Sequence, residues 1–101
     1  MKNNHNADSS AARRVRLDLH HETAEEVLIV GSFDGWKPYV SPMIALGAGN
    51  WAKELLLPPG RYEYLLVVDG QWMFDPNARD YVPNPFGGVN SVHPRSSRLE
   101  L

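Results

Sequence analysis

The sequence predicts an all-β fold, an antiparallel β-sandwich of about seven short strands. Three observations carry the prediction. Apolar residues either alternate with polar ones or form short unbroken runs, the two patterns of half-buried and fully buried strands. No segment holds a helical 3.6-residue period over ten or more residues. Turn signals of Gly, Pro, Asn and Asp punctuate the chain at close intervals. At 101 residues the chain has room for one domain with a single modest core.

The elements follow in order. Residues 1–12, MKNNHNADSSAA, are polar and rich in Asn, Ser and Ala, so a disordered tail is expected. The sandwich is expected over 13–94. In RVRLDLH (14–20), Val15, Leu17 and Leu19 alternate with Arg14, Arg16 and Asp18, which describes a half-buried strand. HETAEE is a polar break, and VLIVGSF (27–33) fits a central strand buried on two faces. DGWKPYVSP reads as loop, MIAL as a short strand before a turn over 47–50. WAKELLL (51–57) is a strand closed by Pro58-Pro59-Gly60, where Pro59 and Gly60 suit the centre of a type II turn. RYEYLLVV (61–68) passes through an Asp69-Gly70 hairpin turn into QWMF. Residues 75–88 hold three prolines and two glycines and read as loop, and VNSVHP (89–94) as a closing strand. Residues 95–101 form a tail, either a frayed end or the start of a longer chain.

Composition narrows the function. The formal net charge of −2 leaves no clustered basic excess for nucleic acid or an anionic membrane. Without cysteine there is no disulfide framework, thiolate nucleophile or cysteine-ligated zinc. The N-terminus lacks an apolar signal core and no window approaches the roughly 18 apolar residues of a membrane span. A cytoplasmic location is the expectation.

Catalytic chemistry finds little to use. His20 and His21 are adjacent on an extended backbone, so they point to opposite faces and cannot chelate one ion together. Asp69, Asp75 and Asp80 fall in loops, where Asp commonly caps turns. A glycosidase-like pair needs two carboxylates facing each other across a cleft, and a sandwich of this size offers little cleft. The glycines fall in turns, with no phosphate-binding loop. No enzyme activity, metal or cofactor is expected.

The positive signal is aromatic. Trp51 lies within a strand pattern and reads as core. Trp36 and Trp72 each follow an Asp-Gly turn, Asp34-Gly35-Trp36 and Asp69-Gly70-Gln71-Trp72. Folded back, they would be lids over the core. Projected outward together, they would form a platform for a ligand with an apolar face and a polar rim, as a pyranose ring has.

VLIVGSFDGWKP, NWAKELLLPPGRYEYLLVVDGQWMFDPNARD and GGVNSV together resemble the glycogen-binding domain of the AMP-activated protein kinase β subunit. More broadly they resemble the family 48 carbohydrate-binding modules found beside isoamylases and branching enzymes. The likeness covers about residues 14–92 and joins four spaced motifs. It implies an immunoglobulin-like early-set sandwich that binds α-1,4-linked glucan without catalysis, with Trp36 and Trp72 stacking on glucose units. It implies a wedge at Phe86, where the family has leucine, and a hydrogen-bonding anchor at Asn90. Gly88 stands where that family has threonine, and Leu65 where it has a sugar-contacting lysine. Either affinity is then lower, or Lys37 or Arg79 supplies a donor from a loop, or the ligand takes a different orientation. The competing expectation is an early-set scaffold that has lost sugar binding and docks an enzyme or regulatory chain through an apolar patch of Trp36, Trp72, Met73 and Phe86.

Overall fold

A computed structural model describes residues 12–37 and 41–93. The chain forms β1 (Arg13–His20), β2 (Val27–Gly31), β3 (Ser41–Pro42), β4 (Ile44–Gly47) and β5 (Asn50–Leu57). It continues through β6 (Tyr62–Val68), β7 (Gln71–Met73), β8 (Asp80–Pro83) and β9 (Val89–His93). All pairings are antiparallel, in a small sheet ordered β1-β5-β4 and a large one ordered β3-β2-β6-β9-β8. One edge of β6 is divided: Tyr62, Glu63 and Tyr64 pair with β9, and Leu66, Val67 and Val68 pair with β7. Among the described residues no helix is long and apolar enough to cross a membrane.

The predicted sandwich is present, with nine strands among the described residues where about seven were expected. Both additions lie in stretches read as loop. β3 spans only Ser41–Pro42, too short to leave a periodic signal. β8, DYVP, is an edge strand, and an edge tolerates the N–H that Pro83 lacks. The strand expected over 27–33 stops at Gly31, and Ser32–Asp34 make a 3₁₀ turn. A Cβ at Gly31 would lie 2.6 Å from the Phe33 ring and 2.7 Å from the Glu63 carbonyl oxygen, so the chain turns where only glycine fits. Residues 1–11 of the expected tail, 38–40 of the expected loop, Pro94 and the 95–101 tail lie outside the described residues.

Alternation puts Tyr64, Leu66 and Val68 of β6 with Val27 and Ile29 of β2 in one buried cluster, together with Leu19, Trp51 and Met43. Trp51 is thus core, as its strand pattern indicated. Val30 and Val67 are as deeply buried yet lie outside that cluster. Their register partners are Leu65 and Trp72, so they share the other face of the large sheet. VLIVG is apolar throughout because both of its faces are covered. The β1–β5 ladder pairs His20 with Asn50 at its end. There His20 bonds the Asn50 side chain, and then Glu22, which holds its imidazole above the ordinary histidine value. Burial pushes His93 the other way.

Asp75, read from the sequence as a turn-capping loop residue, is buried and joins several elements. Its Oδ2 accepts the Tyr64 hydroxyl at 2.6 Å, and its Oδ1 accepts the Asn77 amide at 2.9 Å. Its own amide donates to Ser91 Oγ at 2.8 Å, and its carbonyl accepts the Tyr81 hydroxyl at 2.7 Å. Asn77 then donates to the Asp18 carbonyl of β1 at 3.0 Å, tying the small sheet to this node. Burial, and after it the bond to Asp75, push the Tyr64 phenol well above its usual value. A hydrogen bond to a charged group contributes about 1.5–3 kcal/mol, and its loss also leaves a buried hydroxyl unsatisfied. Asp75→Ala is therefore expected to cost about 3 kcal/mol or more, and Tyr64→Phe less, in urea unfolding followed by circular dichroism. Equal stability of Asp75→Ala and the wild type would remove the node from this account.

Candidate functional site

The Trp36 corner is built around one carboxylate. Asp34 Oδ1 accepts the amides of Gly31 at 3.2 Å, Trp36 at 3.0 Å and Lys37 at 3.3 Å. The Trp36 amide also reaches the Gly31 carbonyl at 2.9 Å. Gly35 takes φ 70° and Trp36 itself φ 64°, a left-handed conformation that a bulky residue rarely adopts. Such a residue costs of order 1–3 kcal/mol and persists only where its surroundings enforce it, which the Asp34 cage does. The sequence places a turn before Trp36; the structure puts Trp36 inside it.

Trp72 arrives by another route. Asp69 at φ 49° and Gly70 at φ 85° form the tight hairpin between β6 and β7. Asp69 caps a different loop from its own, accepting the amides of Glu25 at 2.9 Å and Glu26 at 2.8 Å. The hairpin is thereby fixed to the β1–β2 connection. Register sets Trp72 beside Val67, on the large sheet's second face, where it is 52% exposed.

The third component is the β8–β9 turn, organised by Asn84. Its Oδ1 accepts the amides of Phe86 and Gly88, both at 3.0 Å, while its backbone amide donates to the Gly88 carbonyl at 2.9 Å. Its Nδ2 donates to Asn90 Oδ1 at 3.2 Å, and Asn90 Nδ2 donates to Glu63 Oε1 at 3.2 Å. This turn holds Phe86 at 92% exposure, and Asn90, itself buried, keeps one amide hydrogen and one oxygen lone pair uncommitted among the described residues.

These parts line one concavity of ≈ 840 Å³, which gathers Trp36, Trp72, Phe86, Gly88 and Asn90 from the residues singled out in the sequence. Leu65 also lines it, so an apolar side chain occupies the position where the family resemblance implies a lysine. Lys37 does not line it, although its amide belongs to the Asp34 cage. Arg79 lines a different groove, with Asp18 and His93, which removes it as a substitute donor here. Met73, expected in one apolar patch with Trp36, Trp72 and Phe86, lines the concavity with them, although it is half-buried and also packs on the core beside its partner Leu66. Sequence reasoning missed Phe74 and Asn84. Phe74 lines the concavity and meets Tyr81 edge-to-face at a centroid distance of 5.3 Å. Its signal was the two-residue spacing from Trp72, which puts both on one face of an extended segment. Among the described residues no group of three or more His, Asp or Glu is placed to hold a metal ion.

A two-sheet sandwich with an open aromatic concavity has the architecture of a binding module. Residues 15–94 match the family described as the glycogen recognition site of AMP-activated protein kinase, and the chain belongs to that family. It is similar to the human 5'-AMP-activated protein kinase subunit beta-2, 35% identical over 81 residues, covering 79% of this chain and 29% of that protein. The pig subunit beta-1 is 34% identical over 87 residues, 86% of this chain and 68% of that protein. Protein PTST homolog 2, chloroplastic, of Arabidopsis thaliana is 46% identical over 54 residues, 54% of this chain and 10% of that protein. The chain thus spans about a tenth of the length of the Arabidopsis protein and under three-tenths of that of the human subunit.

Asn84→Ala removes the acceptor shared by two turn amides. Hydrogen exchange at Phe86 and Gly88 is expected to quicken by about tenfold while global stability falls by only about 1 kcal/mol. Unchanged exchange at both amides would show that Asn84 does not organise the turn.

Proposed function

We propose that the chain is a non-catalytic module that binds α-1,4-linked glucan such as glycogen, starch or maltooligosaccharide. The observation that carries this reading is the shared concavity of Trp36 and Trp72, two exposed indoles fixed by independent backbone devices. In the proposed complex the indoles take the C–H faces of glucose units, and Phe86 is the wedge between sugars. Asn90 offers its uncommitted donor and acceptor to a hydroxyl pair, and Gly88 leaves room beside them. Lys37 is at most a peripheral contact. Family membership supports glucan as the ligand class.

Leu65 changes the balance of forces. A lysine there would add a charge-assisted hydrogen bond, so the site depends more on stacking and less on polar contacts. The resulting affinity is expected to be weak. The cytoplasmic location expected from the sequence is part of the same proposal, alongside a plastid alternative suggested by the relatives named as chloroplastic.

The test is a titration with β-cyclodextrin and maltoheptaose, read by tryptophan fluorescence and amide shifts. Trp36→Ala and Trp72→Ala are each expected to weaken binding at least about tenfold, ~1.4 kcal/mol. Leu65→Lys is expected to strengthen it by roughly threefold to tenfold. No response at millimolar glucan, or a response indifferent to both tryptophan substitutions, would sink the proposal.

A further inference from the structure

Charge is segregated along β1. The strand starts with Arg13, Arg14 and Arg16 and ends at His20, beyond which Glu22, Glu25 and Glu26 follow in the turn into β2. In a chain of formal net charge −2, the basic end is therefore a local feature. Arg13, Arg14, Arg16 and Arg79 line two adjoining grooves of ≈ 560 and ≈ 430 Å³ that share Arg16 and His93. Two carboxylates line the same strip, and both are committed. Asp18 pairs with Arg16 at 2.9 Å, and Asp75 accepts from Tyr64 and Asn77. Arg13, Arg14 and Arg79 are in no ion pair among the described residues.

Backbone geometry gives this strip a second property. Among the described residues β1 pairs on one side only, with β5. The Asp18 carbonyl accepts from Asn77, so it points away from β5. Along a strand the N–H and C=O of alternate residues point to the same side, so those of Arg14 and Arg16 point outward too. Register puts the side chains of Arg14 and Arg16 on the face shared with Leu56 and Glu54. The alternate residues Val15 and Leu17 are half-buried toward the sandwich interior, and Leu17 packs on the core.

We propose that the free edge of β1 docks an extended partner segment in which acidic and apolar residues alternate, added to the small sheet as a further strand. Main-chain hydrogen bonds to Arg14 and Arg16 supply the pairing. Acidic side chains on one face of the added strand meet Arg14 and Arg16, and apolar ones on the other continue Val15 and Leu17 across the seam. Arginines on an edge also discourage pairing between like copies. The charges that repel a second copy of this strand attract an acidic one, so the two effects reinforce each other. This surface shares no lining residue with the concavity around Trp36 and Trp72.

The experiment titrates the ¹⁵N-labelled chain with a capped Glu-Val-Glu-Val-Glu-Val-Glu peptide at low salt. The expected result is amide shifts at Arg14, Arg16 and Asn77, weakening as salt is raised. The indole signals of Trp36 and Trp72 are expected to stay put and report an intact fold in every variant. Arg14→Glu is expected to weaken binding at least about tenfold, and Arg14→Lys to retain most of it. A peptide with lysine for glutamate is expected not to bind, nor one N-methylated at alternate amides on its pairing edge. Absence of β1 shifts at millimolar peptide, shifts confined to the tryptophan face, or equal binding of the N-methylated peptide would overturn the proposal.

Discussion

The Asp75 carboxylate is the contact on which the rest of the arrangement depends. A sandwich this small cannot rely on apolar burial alone to fix how its sheets meet, because non-directional forces leave register and rotation loosely set. Asp75 supplies direction. It takes the Tyr64 hydroxyl from β6, gives its amide to Ser91 of β9, and orients Asn77 toward Asp18 of β1. Tyr64 and Asn77 depend on the carboxylate being present, and a buried phenol without its acceptor would carry the full cost of desolvation. Asp75 also directly follows Phe74, so the node that joins the sheets fixes one wall of the aromatic concavity.

The large sheet is apolar on both faces, and this links core to site. Leu66 and Val68 point into the sandwich, while Leu65 and Val67 point to the side that carries Trp72. A lysine at 65 would put a charge beside Val30 and Val67, both nearly free of solvent. The leucine found there extends the apolar surface instead. Leu65 thus consolidates the wall behind the tryptophans.

Much of this was legible in the sequence. Period-two alternation located β1, an unbroken apolar run located β2, and the Asp-Gly pairs located the two corners. What escaped was decided by contacts between distant segments. Asp75 looks like any loop aspartate until the fold places Tyr64 and Ser91 around it. Asp69 caps the amides of Glu25 and Glu26, more than forty positions away. β8 hid inside a proline-rich stretch because an edge strand needs only half of its backbone groups paired. Arg79 was one candidate for a loop donor in place of the lysine implied by the resemblance, and the Asp75–Asn77 turn carries it to the β1 groove.

Trp36 and Trp72 are presented by opposite means, and the difference bears on how they act together. Trp72 is held by a β-ladder, whose register leaves little freedom at its Cα. Trp36 is held in a left-handed backbone by three amides converging on one carboxylate oxygen. In both cases the backbone sets the direction of the side chain before any ligand arrives, so less conformational entropy remains to be lost on binding. In the proposed glucan complex that saving would matter most, because its polar contacts are few. With Leu65 contributing no charge, preorganisation of the aromatic surfaces is the resource that remains, and Asp34 and Asn84 supply it at two of the three corners.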